Sequence, residues 1–181
     1  SAYINNFINF LFISILINII FSIYKKTTLI NFVMSNLIIF SFFSLIAILQ
    51  KDNGLYVILY VVILVSTMDI FAYLGGKSIG KTKIIPLISK GKTIEGTFIG
   101  LFMTTFMSFL IRDLINFSFF YSVIYGFMIG LIAFLGDMIE SIFKRNIGVK
   151  DSGKLIPGHG GLLDRFDGYF LVLPFLYISI N

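Results

Sequence analysis

Apolar residues in this chain come in runs of about 20, the length that crosses a bilayer as a helix. Six hydrophobic segments are read at roughly 3–23, 29–49, 55–74, 97–115, 117–136 and 162–180. The first five are clear. The sixth is purely apolar only from Tyr169 to Ile180 and reaches spanning length only if it starts near Leu162 and takes in Asp164, Arg165 and Asp167. Pro174 is expected to kink it. Arg112 and Asp113 close segment four, and Asn116 marks the turn into segment five. The expected fold class is an all-α polytopic membrane protein of about six transmembrane helices, with its active-site loops on the cytoplasmic side. Two parts are read: residues 1–54 as an N-terminal transmembrane hairpin and 55–181 as a catalytic transmembrane domain.

Composition agrees. The chain has 181 residues, 57% of them hydrophobic, with a mean hydropathy of +0.97. Charged residues make up 13%, about half the usual share of a soluble domain. A soluble core of this size could not hide so many apolar runs. There are no cysteines, so disulfides and thiolate metal sites are ruled out. The chain opens on Ser1 rather than Met, which leaves a trimmed or partial start open. Residues 1–24 carry no basic leader and no small-residue cleavage site, so a cleaved signal peptide is not expected.

Charge placement gives a topology. All cations except Lys51 and Arg112 fall after segments one, three and five, which puts that side in the cytoplasm and both termini outside. All acids except Asp52 and Asp113 lie on or near the same side. Positive-inside sorting explains lysine and arginine but not acids, so the shared location points to a site. The two loops on that side, about 75–96 and 145–161, are rich in glycine and lysine.

The densest stretch is 141–167. It holds Lys144, Arg145, Lys150, Lys154 and Arg165, the acids Asp151, Asp164 and Asp167, and the single histidine, His159. Asp137 and Glu140 precede it at i, i+3 spacing, on one helical face with Ser141 and Lys144. Asp164 and Asp167 repeat the spacing. Two short carboxylate faces on neighbouring helix ends suit a hard divalent cation, since Mg²⁺ takes one or two carboxylates plus substrate phosphates. The plainer alternative is capping and ion pairing with Lys144, Arg145 and Arg165. The cations could anchor anionic lipid heads or clamp phosphates, and the interleaved glycines favour the clamp. His159 is open between a structural role and phosphate binding or proton transfer. Asp69 lies inside segment three with Tyr73 at i+4, and an acid there is functional by default. Residues 75–82 read G-G-K-S-I-G-K-T and match a P-loop pattern. That motif needs a preceding strand and an α/β sheet, whereas here a membrane segment precedes it. Its Lys77, Lys81 and Lys83 could still cradle a nucleotide phosphate in another fold. Glu95 suits a helix start, and Lys92 and Thr93 are better candidates for substrate contact.

Together these residues resemble the phosphatidate cytidylyltransferases, or CDP-diacylglycerol synthases. The family signature S-x-hydrophobic-K-R-x4-K-D-x-small-x2-hydrophobic-P-x-H-G-G-hydrophobic-x-D-R-hydrophobic-D is met at every fixed position of 141–167. Upstream, Asp69, Ala72-Tyr73, Gly75 or Gly76, Gly80-Lys81, Ser89, Lys92-Thr93, Glu95-Gly96, Gly136-Asp137, Glu140 and Ser141 also fit. Lys90 stands where the family often has Pro, Lys77 where it often has Arg, and Gly168 where it often has Ser. The resemblance covers about 55–181, and bacterial members are usually longer at the N-terminus. It implies CTP + phosphatidate → CDP-diacylglycerol + pyrophosphate, with Mg²⁺ as cofactor and a second cation left open. It implies Asp137, Asp164, Asp167 and Glu140 around the metal. Lys144, Arg145 and His159 would join the catalytic set, and Asp69, Tyr73, Lys81, Ser89, Lys92, Thr93, Ser141, Lys150, Asp151 and Arg165 would bind substrate. The implied partners are CTP, phosphatidate and membrane lipid, with no nucleic acid and a homodimer left open. The implied location is a multi-pass integral protein of a bacterial inner membrane. The competing readings are a CTP-dependent polyprenol or phytol kinase and, from another class, a cation channel or transporter.

Overall fold

The computed structural model describes residues 2–25, 28–86, 89–149, 152–153, 161 and 163–180, with side chains from residue 11 onward except at 90, 163 and 165. Seven α-helices are present among them: α1 (Ala2–Lys25), α2 (Leu29–Leu49), α3 (Gly54–Ile79), α4 (Ile94–Leu110), α5 (Phe119–Asn146), α6 (Leu163–Phe166) and α7 (Tyr169–Ser179). Helices α2, α3 and α5 are long and apolar enough to cross a membrane. α4 has 17 residues and α7 has 11, both short of the roughly 20 that span.

Two features depart from the sequence reading. The loop after α3 contains a two-stranded antiparallel hairpin, β1 (Lys83–Ile85) and β2 (Ser89–Thr93), paired Lys83 to Thr93 and Ile85 to Ser89. An all-α description therefore misses one small sheet. The expected sixth segment is also divided. α6 is a single turn, and the chain breaks at Asp167 and Gly168 before α7 begins. Asp164 and Asp167 thus sit outside any helix of spanning length, where their charge costs less.

Local chemistry sets the boundaries. Thr28 Oγ1 caps α2 by accepting from Asn31 N at 3.4 Å, and Thr93 Oγ1 caps α4 by accepting from Gly96 N at 3.2 Å. α4 ends in a 3₁₀ turn at Arg112–Ile115, and Asn116 at φ 54° reverses the chain, as its sequence position predicts. Pro174 inside α7 has no N–H for the carbonyl of Phe170. The hydroxyl of Ser41 on α2 lies 2.5 Å from that carbonyl and supplies the missing donor.

The core centres on α3, with Tyr60, Val61, Leu64 and Val65 buried against Ile48, Ile129, Val172 and Leu176. Tyr60 Oη and Ser108 Oγ lie 2.5 Å apart, and Ser108 donates to the carbonyl of Ser122. This chain of contacts satisfies three polar groups among apolar ones. The outer faces stay apolar: Phe98, Phe102 and Phe106 form one exposed stripe along α4, as a lipid-facing surface requires.

Candidate active site

The site lies where the C-terminal half of α3, the start of α4, the hairpin, the C-terminal half of α5 and the α6–α7 turn meet. Close backbone approach makes this possible. A Cβ on Gly96 would stand 2.4 Å from the carbonyl oxygen of Ala72, and one on Gly100 would stand 3.0 Å from that of Met68. Without side chains there, α4 packs directly on α3. A Cβ on Gly136 would lie 2.7 Å from the Asp167 carbonyl oxygen, so this glycine lets the α6–α7 turn settle onto α5 beside Asp137.

These contacts enclose a cavity of about 500 Å³. α3 contributes Ser66, Asp69 and Tyr73 to its wall, and the hairpin contributes Ser89, Lys92 and Thr93. α5 adds Phe134 and Asp137, and the α6–α7 region adds Asp164, Asp167 and Tyr169. The Lys92 ammonium lies 2.7 Å from Asp137 Oδ2 and 5.7 Å from the centre of the Phe134 ring. The floor is therefore anionic with the Lys92 ammonium beside it.

Asp137, Glu140 and Asp167 each place a carboxylate oxygen within 4.8 Å of the others. The first two come from successive turns of α5, and the third drops in from the α6–α7 turn. Burial, with the Asp137 carboxylate close by, pushes Asp167 up to about 7. A cation held between these groups would remove that strain. The donor set is oxygen-only, which fits a hard ion such as Mg²⁺.

Asp164, expected with these ligands, lines the same cavity and lies beside Glu140, and its carboxylate is occupied by several donors. Its Oδ1 takes the Lys144 ammonium at 2.8 Å, and its carboxylate also accepts from Ser152 N at 3.0 Å and Gly161 N at 2.7 Å. Partial burial opposes its charge, but these donors outweigh burial and hold it well below the usual carboxylate range. Asp164 thus ties Ser152 and Gly161 to Lys144 of α5. Lys144 also lies 2.5 Å from Glu140 Oε2, so one ammonium links the buried Glu140 to that tie.

The other expected residues divide. Asp69, Tyr73, Ser89, Lys92 and Thr93 line the cavity. Lys81 is exposed at the end of α3 and does not, Ser141 faces a small recess with Met138 and Ile84, and Arg145 is exposed with Nη1 on the Val149 carbonyl at 3.1 Å. His159, Lys150 and Asp151 lie outside the described residues, as does the side chain of Arg165. The P-loop-like stretch is not a phosphate loop. Gly75–Ile79 is the last turn of α3, and the N–H of Thr82 is taken by the Glu95 carboxylate at 3.1 Å. Glu95 is thereby a brace for the hairpin. Sequence reasoning missed Ser66, Thr97, Phe134 and Tyr169 in the wall. Ser66 precedes Asp69 by three and Thr97 follows Thr93 by four, so helical spacing could have found both. No comparable signal marks Tyr169.

A family model described as the cytidylyltransferase family matches residues 1–181. The phosphatidate cytidylyltransferase of Staphylococcus aureus (strain COL) is 45% identical over 132 residues, covering 72% of this chain and 51% of its own. That of Staphylococcus haemolyticus (strain JCSC1435) is 41% identical over 132 residues, with the same coverage of 72% and 51%. The uncharacterized protein YnbB of Escherichia coli (strain K12) is 41% identical over 131 residues, covering 72% of this chain and 44% of its own. The chain spans about half the length of the curated relatives it matches.

Proposed function

The chain belongs to the cytidylyltransferase family, and from that premise we propose that it carries out CTP + phosphatidate → CDP-diacylglycerol + pyrophosphate. The observation that carries the reading is the cavity itself. Asp137 and Asp167 line it and, with the buried Glu140 close by, form an oxygen cluster, and Lys92 reaches in beside Asp137. A phosphate oxygen of phosphatidate attacks the α-phosphorus of CTP in line. The bond from that phosphorus to the bridging oxygen breaks, and pyrophosphate leaves with the electron pair. Such transfers depend on positioning and charge neutralisation.

Asp137, Glu140 and Asp167 would hold Mg²⁺, which when bound neutralises charge on the phosphate oxygens. Lys92, released from Asp137, binds a phosphate oxygen, while Ser89 and Thr93 donate hydroxyl hydrogen bonds along the same wall. Asp69 and Tyr73 shape the α3 side. Lys144 positions Glu140 and Asp164, and Asp164 holds the N–H groups of Ser152 and Gly161. No general base is required, because a phosphate monoester is largely ionised near neutral pH. The proposed setting is a multi-pass protein of a bacterial inner membrane. Residues 55–181 form the catalytic part there, and the cation-rich end faces the cytoplasm.

The test is pyrophosphate release by the purified protein given CTP, phosphatidate and Mg²⁺. Asp137→Asn and Asp167→Asn should abolish it while the protein still folds. Full turnover in either variant rules out the metal assignment, and CDP in place of pyrophosphate rules out cytidylyl transfer.

A further inference from the structure

A second cavity, about 300 Å³, lies between α2, α3 and α7. Its wall is apolar, with Phe42 and Leu45 from α2, Ile58 and Val62 from α3, and Leu173 from α7. The hydroxyl of Ser41 is spent on the Phe170 carbonyl. One residue, Tyr169, belongs to both cavities. Its hydroxyl engages Ser66 on the polar side, near Asp69 and Asp167, and its ring packs 5.9 Å from that of Phe166.

The two cavities follow one another along α3. Ile58, Val61 and Val62 line the apolar one, and Ser66, Asp69 and Tyr73 line the polar one. From Ile58 to Asp69 the helix rises roughly 16 Å, about half the thickness of a hydrocarbon core. The apolar cavity opens sideways, since Phe42 is 53% and Val62 41% exposed. A two-tailed lipid has the same order of parts: a phosphate at the surface, a linker, and chains running one leaflet deep.

We infer that the α2–α3–α7 cavity holds an acyl chain of the lipid substrate while its phosphate occupies the polar cavity, with Tyr169 as the divider between them. This rests on the reading of the polar cavity as a phosphatidate site. Lipid tails gain little by moving from bilayer to an apolar groove. The groove therefore acts through alignment, holding the phosphate oxygen over the carboxylate floor, and through chain length. A bystander lipid or a second copy of the chain seated there would lack the link through Tyr169 to the reacting phosphate.

The experiment measures pyrophosphate release with dioleoyl- and with dihexanoyl-phosphatidate in mixed micelles, for the wild type, Val62→Trp and Leu45→Trp. The two variants fill the groove from opposite walls, so one folded variant suffices. The expected result is a fall of about tenfold in kcat and in kcat/KM for the dioleoyl lipid, the effect of a misaligned phosphate, with the dihexanoyl lipid unchanged. Equal losses on both lipids, or no change on either in a folded variant, would overturn the inference and leave the reaction standing. A wild type that releases no pyrophosphate from either lipid removes the reaction itself, and this inference with it.

Discussion

Replacing Gly96 with alanine tests the contact on which the whole site depends. The new Cβ would lie 2.4 Å from the Ala72 carbonyl oxygen, 2.7 Å from Gly76 N and 2.9 Å from Gly76 Cα. All three are backbone atoms of α3, so no rotamer change relieves them. Restoring ordinary contact requires α4 to back away by about 1 Å, and overpacking of this kind costs about 1–3 kcal/mol. For a chain of this size each kcal/mol lowers Tm by about 2–4 °C. The functional loss should be larger. Thr93 caps α4 three residues before Gly96, and Lys92 next to it spans 2.7 Å to Asp137. When α4 shifts, both move, and a 1 Å misplacement at a reacting centre costs about 100-fold in rate. The assay pairs a thermal melt in detergent with pyrophosphate release from CTP and phosphatidate. A Gly96→Ala protein with wild-type rate and unchanged Tm would refute the claim that direct α3–α4 backbone contact sets the site.

Two further outcomes follow from the charge arrangement. Lys144→Ala removes the only described cation bonded to the buried Glu140 and to Asp164, and breaking such a buried pair costs about 3–5 kcal/mol. The Tm should fall accordingly and recover in part when Glu140→Gln is added; an unchanged Tm with a raised KM for CTP would make Lys144 a phosphate clamp instead. Asp167, pushed up to about 7 by burial and by Asp137, is protonated on the acid side, so a divalent ion must displace that proton. Mg²⁺ affinity should therefore rise as pH increases through about 7 and level off above it. Calorimetry in two buffers of different ionisation enthalpy should show proton release on binding. The dependence should vanish in Asp167→Asn, and a flat profile in the wild type would refute the cluster as the cation site.

Much of the site is legible in the residues themselves. Asp137, Glu140 and Asp167 stand out because charge in an oily chain is costly and needs a purpose, and i, i+3 spacing already puts two of them on one face. The turn at Asn116 is legible for a local reason as well. The break at Asp167 and Gly168 is not, because hydrophobic length alone cannot distinguish one kinked helix from a turn followed by a shorter one. The hairpin is hidden because its strands have three and five residues and a composition that also suits a loop. Glycines at 75 and 76 look like part of a phosphate cradle in the sequence, and the tertiary structure packs Gly75 against α4 and Gly76 against the hairpin.

What the residues determine by themselves is the class of chain, the end of it where chemistry is concentrated, and the kind of ligand that chemistry suits. These follow from composition and short-range spacing, which need no partner helix. Tertiary structure decides which carboxylates meet. Asp164 and Asp167 look equivalent in the sequence, yet packing through Gly136 brings Asp167 to Asp137 and Glu140, while Asp164 takes Lys144 and the N–H groups of Ser152 and Gly161. It also decides that Tyr169 stands between a polar and an apolar cavity. Both depend on distances between residues far apart in the chain, set by how closely backbones can approach.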